Sequence, residues 1–294
     1  MKKRFINWDS KPLQSWAEEN AVGEFVDLSG NQTHYIVAGA GSPVILIHGF
    51  FFDSNLWLHN IEALARSHRV YAIDLWGFGY SARDIAVPSY DLYSSQVLAF
   101  MDSIGIEKAS LVGQSLGGGV AVHFCVQNPA RVEKLVLVDA AGMPNPEPLS
   151  SRMFRLPGVG ELLLKLPTNI VRKKMLHDFF LFDSTGLSHD LYERLVKFQK
   201  VKGTNSVMLE VMRLGFADKL RESIQQLAEF DVPIQLIWGK HDKAISRQLG
   251  YKLHQRLPHS VFSVIDHAAH VPNLEQPTVF NSQVLNFLDE DGFS

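Results

Sequence analysis

Six short apolar runs, most of them separated by helix-like stretches, constrain this chain more than any other feature. They are PVILIHG (43–49), RVYAIDL (69–75), ASLVGQS (109–115), KLVLVDA (134–140), PIQLIWG (233–239) and VFSVID (261–266). A strand inside a sheet covered by helices has no solvent side. It therefore reads as a continuous apolar run, and this pattern predicts an α/β chain with a mostly parallel, doubly wound sheet. Ahead of the first run, EFVDLSGNQTHYIVAG has two extended pieces around Ser29-Gly30-Asn31, as expected of an antiparallel hairpin at the sheet edge. A short helix is expected about Leu13 to Glu19.

The alternation breaks once. From about Gly142 to Ala217 no strand signal appears, and helix-like segments such as IVRKKMLHDFFLF and HDLYERLVKFQKV are punctuated by prolines at 144, 146, 148, 157 and 167 and by Gly203. This is the pattern of a helical insertion between two sheet strands. The expected division is a core over 1–141, a helical cap over 142–217, and the rest of the core over 218–294.

With 294 residues, 46% of them hydrophobic and 20% charged, the chain can bury a large core and does not read as disordered. A net charge of −3 gives no electrostatic footprint for nucleic acid or anionic lipid. One cysteine, Cys125, rules out an internal disulfide and a multi-cysteine zinc site. The basic start MKKRFINWDSKP lacks the apolar centre of a signal peptide, and no stretch reaches the ~18 apolar residues of a membrane span. The expectation is a cytoplasmic protein without a membrane span. Its partner would be a small molecule, and a homodimer is left open.

Chemistry enters at LVGQSLGGG (111–119). Gly113-Gln114-Ser115-Leu116-Gly117 is a G-x-S-x-G sequence between an apolar strand and a helix-like segment, the context in which that pattern presents a nucleophilic serine on a sharp turn. A serine hydroxyl is a weak nucleophile unless a histidine takes its proton and an acid orients the histidine. Asp242 follows the strand PIQLIWG and His270 follows VFSVID. In a doubly wound sheet their loops share one edge with Ser115, in the chain order serine, acid, histidine. A developing oxyanion needs donors, and the Phe50 and Leu116 backbone N–H groups are the candidates. Phe51, Phe52 and Gln114 are expected to contact the substrate. MLHDFFLF of the cap adds further rings, which favours uncharged esters of short to medium acyl length.

Together His48-Gly49, DLWGFGYS (74–81), GQSLGG (113–118), WGKHD (238–242) and HVPNLEQP (270–277) resemble the α/β-hydrolase superfamily, over about Glu24 to Leu288. Within it the chain looks like the capped carboxylesterase, lipase and carbon–carbon bond hydrolase group. The resemblance implies the α/β-hydrolase fold, with about eight strands and a cap inserted after the sixth. It also implies hydrolysis through an acyl-serine without a cofactor.

Rivals exist for each role. The family-like spacing before VPNLEQP favours His270 over His267, and WGKHD favours Asp242 over Asp139, although some superfamily members carry the acid after the strand that ends at Asp139. Asp74 is expected to brace the turn of DLWGFGYS, and His48 to order the oxyanion loop. GFGYSA mimics a dinucleotide fingerprint but has Asp84 and Pro88 where a helix should start, and GQSLGGG lacks the Gly-Lys-Ser/Thr ending of a phosphate loop. No histidine spacing points to a metal. The alternative activity is hydrolysis of ring meta-cleavage products at a carbon–carbon bond. Against it, that group's oxyanion loop is Gly/Ser-rich and a tryptophan often follows the histidine, whereas this chain has GFFFD and Val271. A ligand receptor that retains the scaffold is the alternative of another class.

Overall fold

A computed structural model describes residues 5–145, 149–185, 187–215 and 220–290, without the side chains of 149–151. The expected boundary at 217/218 and the prolines at 146 and 148 lie outside the described residues. Eight strands form one sheet: β1 (Glu24–Leu28), β2 (Asn31–Ala38), β3 (Ser42–Ile47), β4 (His68–Ile73), β5 (Ala109–Gln114), β6 (Val132–Val138), β7 (Ile234–Gly239) and β8 (Ser260–Ile265). Their spatial order is β1-β2-β4-β3-β5-β6-β7-β8. The first two pairings, β1 with β2 and β2 with β4, are antiparallel, and the other five are parallel.

The edge hairpin turns where the sequence places it. Ser29 and Gly30 have φ of 56° and 92°, the left-handed pair that matches the twist of a two-residue hairpin. The Asp27 side chain accepts the Gly30 N–H at 2.8 Å. The central strands have no polar face: Val44 through Ile47 of β3 and Leu135 through Val138 of β6 are fully buried. Helices Tyr90–Ser103, Leu116–Gln127, Arg247–Arg256 and Pro277–Asp289 belong to the sheet layer's covering.

Between β6 and β7 the chain contributes no strand among the described residues. It forms helices Leu149–Arg155, Val159–Lys165, Ile170–Met175, His189–Val196, Thr204–Leu214 and Arg221–Leu227. The third of these runs into a π turn, Leu176–Phe180, closed by Leu181 N–H donating to the Leu176 carbonyl at 2.9 Å. Such turns re-aim a helix end, often at a functional site. Among the described residues no helix is long and apolar enough to cross a membrane. Because β3, β5, β6, β7 and β8 are parallel, the loops after them leave from one edge of the sheet. Those loops begin at His48, Ser115, Asp139, Lys240 and Asp266.

Candidate active site

Ser115 sits between the end of β5 and helix Leu116–Gln127 with φ 53° and ψ −115°, a conformation that L-residues rarely adopt. The backbone holds it from both sides. Its N–H donates to the Val138 carbonyl at 2.9 Å, and its carbonyl accepts the Ala141 N–H at 2.9 Å. The flanking glycines are needed for space. A β-carbon at 113 would lie 2.7 Å from the Gly118 α-carbon, and one at 117 would lie 2.6 Å from the His48 carbonyl oxygen and nearer still to that of Ile47. The two glycines therefore let the elbow close on itself and press against the end of β3.

The structure brings the three expected side chains together. Ser115 Oγ lies 2.9 Å from His270 Nε2, and His270 Nδ1 lies 2.8 Å from Asp242 Oδ2. A neutral imidazole with its proton on Nδ1 satisfies both contacts: it donates to Asp242 and accepts the serine proton. The other Asp242 oxygen accepts the Ala244 and Ile245 N–H groups at 2.7 and 3.0 Å, which fixes the carboxylate. His270 is itself pinned, its N–H donating to the Phe180 carbonyl at 3.0 Å and its carbonyl accepting Gln114 Nε2 at 2.7 Å.

Of the rival residues, Asp139 lies beside Asp242 and His270, and His267 lies outside the relay. Asp139 is fully buried, accepts the Gly239 N–H at 3.0 Å, and has one oxygen without a partner among the described residues. Burial first, and then the negative charge of Asp242, push its pKa well above the usual carboxylate range. A carboxyl shifted in that direction is a weaker partner for an imidazolium than Asp242, whose Oδ2 is the atom in contact with His270 Nδ1. Asp139, Asp242 and His270 each offer a donor atom within 4.8 Å of the others, the only arrangement among the described residues able to hold a metal, but the Asp242 and His270 atoms are already directed at each other. His267 is exposed and edge-on to Phe182 at 5.9 Å, and His241 stacks on the same ring at 4.4 Å.

The loop after β3 abuts the serine: a β-carbon at Gly49 would lie 3.0 Å from Ser115 Cβ. His48 orders this loop, its Nδ1–H donating to the Gly49 carbonyl at 2.8 Å while Nε2 accepts the Leu75 N–H at 3.0 Å. Burial lowers its pKa, which keeps the ring neutral as those two roles require. Phe50 follows Gly49 in this loop, and Leu116, the first residue of its helix, follows Ser115 directly.

Asp74 braces the neighbouring turn as expected. It accepts the Ser54 and Tyr80 N–H groups at 2.7 and 2.8 Å and pairs with His34 at 2.7 Å. Although burial opposes ionisation, the His34 charge and hydrogen bond hold the Asp74 carboxyl below its ordinary range.

Three side chains expected to touch substrate have other surroundings. Phe51 and Phe52 have no accessible surface and pack on Phe180, with ring centroids 5.4 and 5.2 Å away, so they back the site rather than face it. Gln114 Nε2 donates to the His270 carbonyl, and its Oε1 is buried without a partner among the described residues. Reading the sequence also misses three fasteners. Phe180 reaches both the Phe51 ring and, at 5.6 Å, the His270 ring. Glu275 accepts the Phe182 N–H at 2.6 Å and the Ala269 N–H at 2.7 Å, hooking the helical segment to the histidine loop. Gln199 donates to the Phe51 carbonyl at 2.9 Å. Its signal was present, because Gln199 continues the apolar stripe of Tyr192, Leu195 and Val196, where a polar residue implies a satisfied buried side chain. A cleft of about 400 Å³ opens beside the hook, lined by Leu181, Leu187, Leu191, His267, Leu274 and Glu275 among others.

A family model described as alpha/beta hydrolase fold matches residues 42–277. A 2-hydroxymuconate semialdehyde hydrolase of Pseudomonas sp. (strain CF600) is 28% identical over 278 residues, covering 92% of this chain and 94% of that protein. The dihydrolipoyllysine-residue acetyltransferase component of an acetoin cleaving system from Pseudomonas putida is 29% identical over 84% of this chain, which spans 64% of that protein's length. Among solved structures, a meta-cleavage product hydrolase from Pseudomonas fluorescens superposes with a TM-score of 0.78 and 25% identity, over 91% of this chain and 98% of that one.

Proposed function

Given that the chain belongs to the α/β-hydrolase fold family, we propose that it is a serine hydrolase in which Ser115 is the nucleophile, His270 the general base and acid, and Asp242 the residue that orients and stabilises the imidazole. The observation that carries this reading is the continuous relay from Ser115 Oγ through His270 to Asp242, at 2.9 and 2.8 Å. Oγ attacks a substrate carbonyl as its proton passes to His270 Nε2. The carbonyl electron pair moves onto oxygen, to which the Phe50 and Leu116 N–H groups can donate hydrogen bonds. Collapse expels the leaving group, which takes the proton from Nε2, and water activated by the same ring then releases the acyl group.

Two bonds fit this chemistry. Carbon–carbon cleavage beside a carbonyl is the activity that the comparisons favour, since the relative at 28% identity is named a 2-hydroxymuconate semialdehyde hydrolase and the structural neighbour at 25% a meta-cleavage product hydrolase. It requires a leaving carbanion that is conjugated and protonated by His270. Ester cleavage, the expectation from the sequence, draws on the same Ser115–His270–Asp242 relay and needs only an alkoxide leaving group that His270 can protonate. The cleft beside Glu275, which mixes Leu181, Phe182 and Leu274 with Asp183, His267 and Gln276, is a candidate for the substrate portion remote from the carbonyl.

A panel of p-nitrophenyl esters of increasing acyl length plus a ring-cleavage dienone, each run with wild type and Ser115→Ala, tests the reading. Serine-dependent turnover in either arm supports it, and the larger kcat/KM identifies the bond. A Ser115→Ala variant as active as wild type would overturn it.

A further inference from the structure

His48 orders the first part of the oxyanion loop, at the Gly49 carbonyl, but does not reach the Phe51 carbonyl. The turn of that loop, Gly49 to Phe52, is closed by a long Phe52 N–H to Gly49 carbonyl contact of 3.4 Å, and Phe51 within it has φ 78°, a costly conformation for a bulky side chain. What fixes the Phe51 carbonyl comes from the distant helical segment. Gln199, fully buried, donates to it through Nε2 at 2.9 Å.

The direction of that amide is set by Arg172. Guanidinium groups only donate, so the Gln199 oxygen must face Arg172 Nε, at 2.8 Å, and Nε2 is left facing Phe51. Arg172 is held in turn by the Leu164 carbonyl at 3.0 Å and Asn205 Oδ1 at 2.9 Å. Residues 5–12 lie over this group as a strap. The Trp8 ring has Arg172 at 3.8 Å and Lys200 at 3.1 Å from its centroid, and the Asp9 N–H donates to the Gln199 carbonyl at 3.1 Å. The Asp9 carboxylate accepts the Asn205 N–H at 3.1 Å.

We propose that Gln199 is a positioning residue: its amide, aimed by Arg172 and the residue 5–12 strap, holds the Phe51 carbonyl and thereby keeps the adjoining Phe50 N–H in place for the oxyanion. This rests on the serine-hydrolase reading and adds to it a residue remote in sequence from every catalytic motif.

The test uses Gln199→Glu and Gln199→Leu in the full chain. Glutamate keeps an acceptor for Arg172, and so the packing of the strap, but presents no donor to Phe51 near pH 8. Leucine removes both bonds without adding charge. Three quantities are read: kcat and KM on the best substrate from the panel, inhibition by an aryl boronic acid, and Tm. The boronic acid adds to Ser115 Oγ as a tetrahedral anion and so draws on the same donors as the transition state.

Loss of the donor should lower kcat roughly 10- to 100-fold with KM within about twofold, and weaken boronate inhibition in proportion, in variant protein that the melt shows to be folded at the assay temperature. If Gln199→Leu fails to fold, Gln199→Glu decides alone. Retention of kcat and boronate inhibition within twofold overturns the proposal, as does a fall in kcat accompanied by an equal loss of folded protein. A fully active Ser115→Ala control would instead overturn the serine-hydrolase reading, and this proposal with it.

Discussion

Replacing Gly117 by alanine adds one methyl group at the most crowded point of the site, and its effect can be worked from the geometry. The new β-carbon would lie 2.6 Å from the His48 carbonyl oxygen and nearer still to that of Ile47, where real contacts stay above 3.0 Å. Both obstacles are backbone, so neither can swing aside as a side chain would. Helix Leu116–Gln127 and the end of β3 must part by on the order of 1 Å. The two candidate oxyanion donors sit on opposite sides of that gap, Leu116 on the helix and Phe50 after the strand. A misplacement of this size costs about 10²-fold in turnover. Overpacking adds about 1–3 kcal/mol of destabilisation, offset by up to about 1 kcal/mol from alanine's better helix propensity. The assay is kcat/KM on the best panel substrate beside a thermal melt, with Gly105→Ala as control. Gly105 has φ 73° but open space where its β-carbon would go, so that variant should lose stability alone. Wild-type turnover and Tm in Gly117→Ala would refute the steric account of the elbow.

Asp242→Asn should lower kcat on the order of 10⁴-fold, because the amide can present N–H to His270 Nδ1 and favour the wrong tautomer; steady-state kinetics checks this. Burial raises the Glu275 pKa from 4.5 to about 7, so the folded state holds a proton there that the unfolded chain has lost. That contribution to stability is complete below pH ~4.5 and disappears as pH rises through ~7, a change of a few kcal/mol. Melts of wild type and Glu275→Gln across this window should show the variant with the flatter profile, and equal slopes would count against the assignment. Asp74→Ala strips the acceptor from Ser54, Tyr80 and His34 together and should destabilise by about 3–5 kcal/mol in a denaturant titration, since it leaves a buried pair broken.

The core of the fold was legible because its strands have no solvent side: an apolar run such as Val44 to Ile47 can be read without any partner. The Ser115 elbow was legible for a steric reason, since glycines at 113 and 117 mark where a β-carbon has no room. The helical segment before β7 was harder. Its polar fasteners act across distances the sequence does not encode, Gln199 to Phe51 spanning 148 positions and Trp8 to Thr168 spanning 160. Phe51 and Phe52 were misplaced because aromatic side chains near a motif read alike whether they face the substrate or back the wall. Only their complete burial against Phe180 separates the two. The Gln114 contact was illegible for another reason, as the partner of its Nε2 is a carbonyl 156 positions away.

The central claim is that Ser115 is made nucleophilic by His270 and Asp242. Intact-mass spectrometry after brief exposure to a fluorophosphonate, followed by peptide mapping, tests it most directly. A single adduct on Ser115 is expected in wild type, absent from Ser115→Ala and at least 10²-fold slower to form in His270→Ala. Equal labelling of all three proteins, or an adduct mapped to another residue, would contradict it.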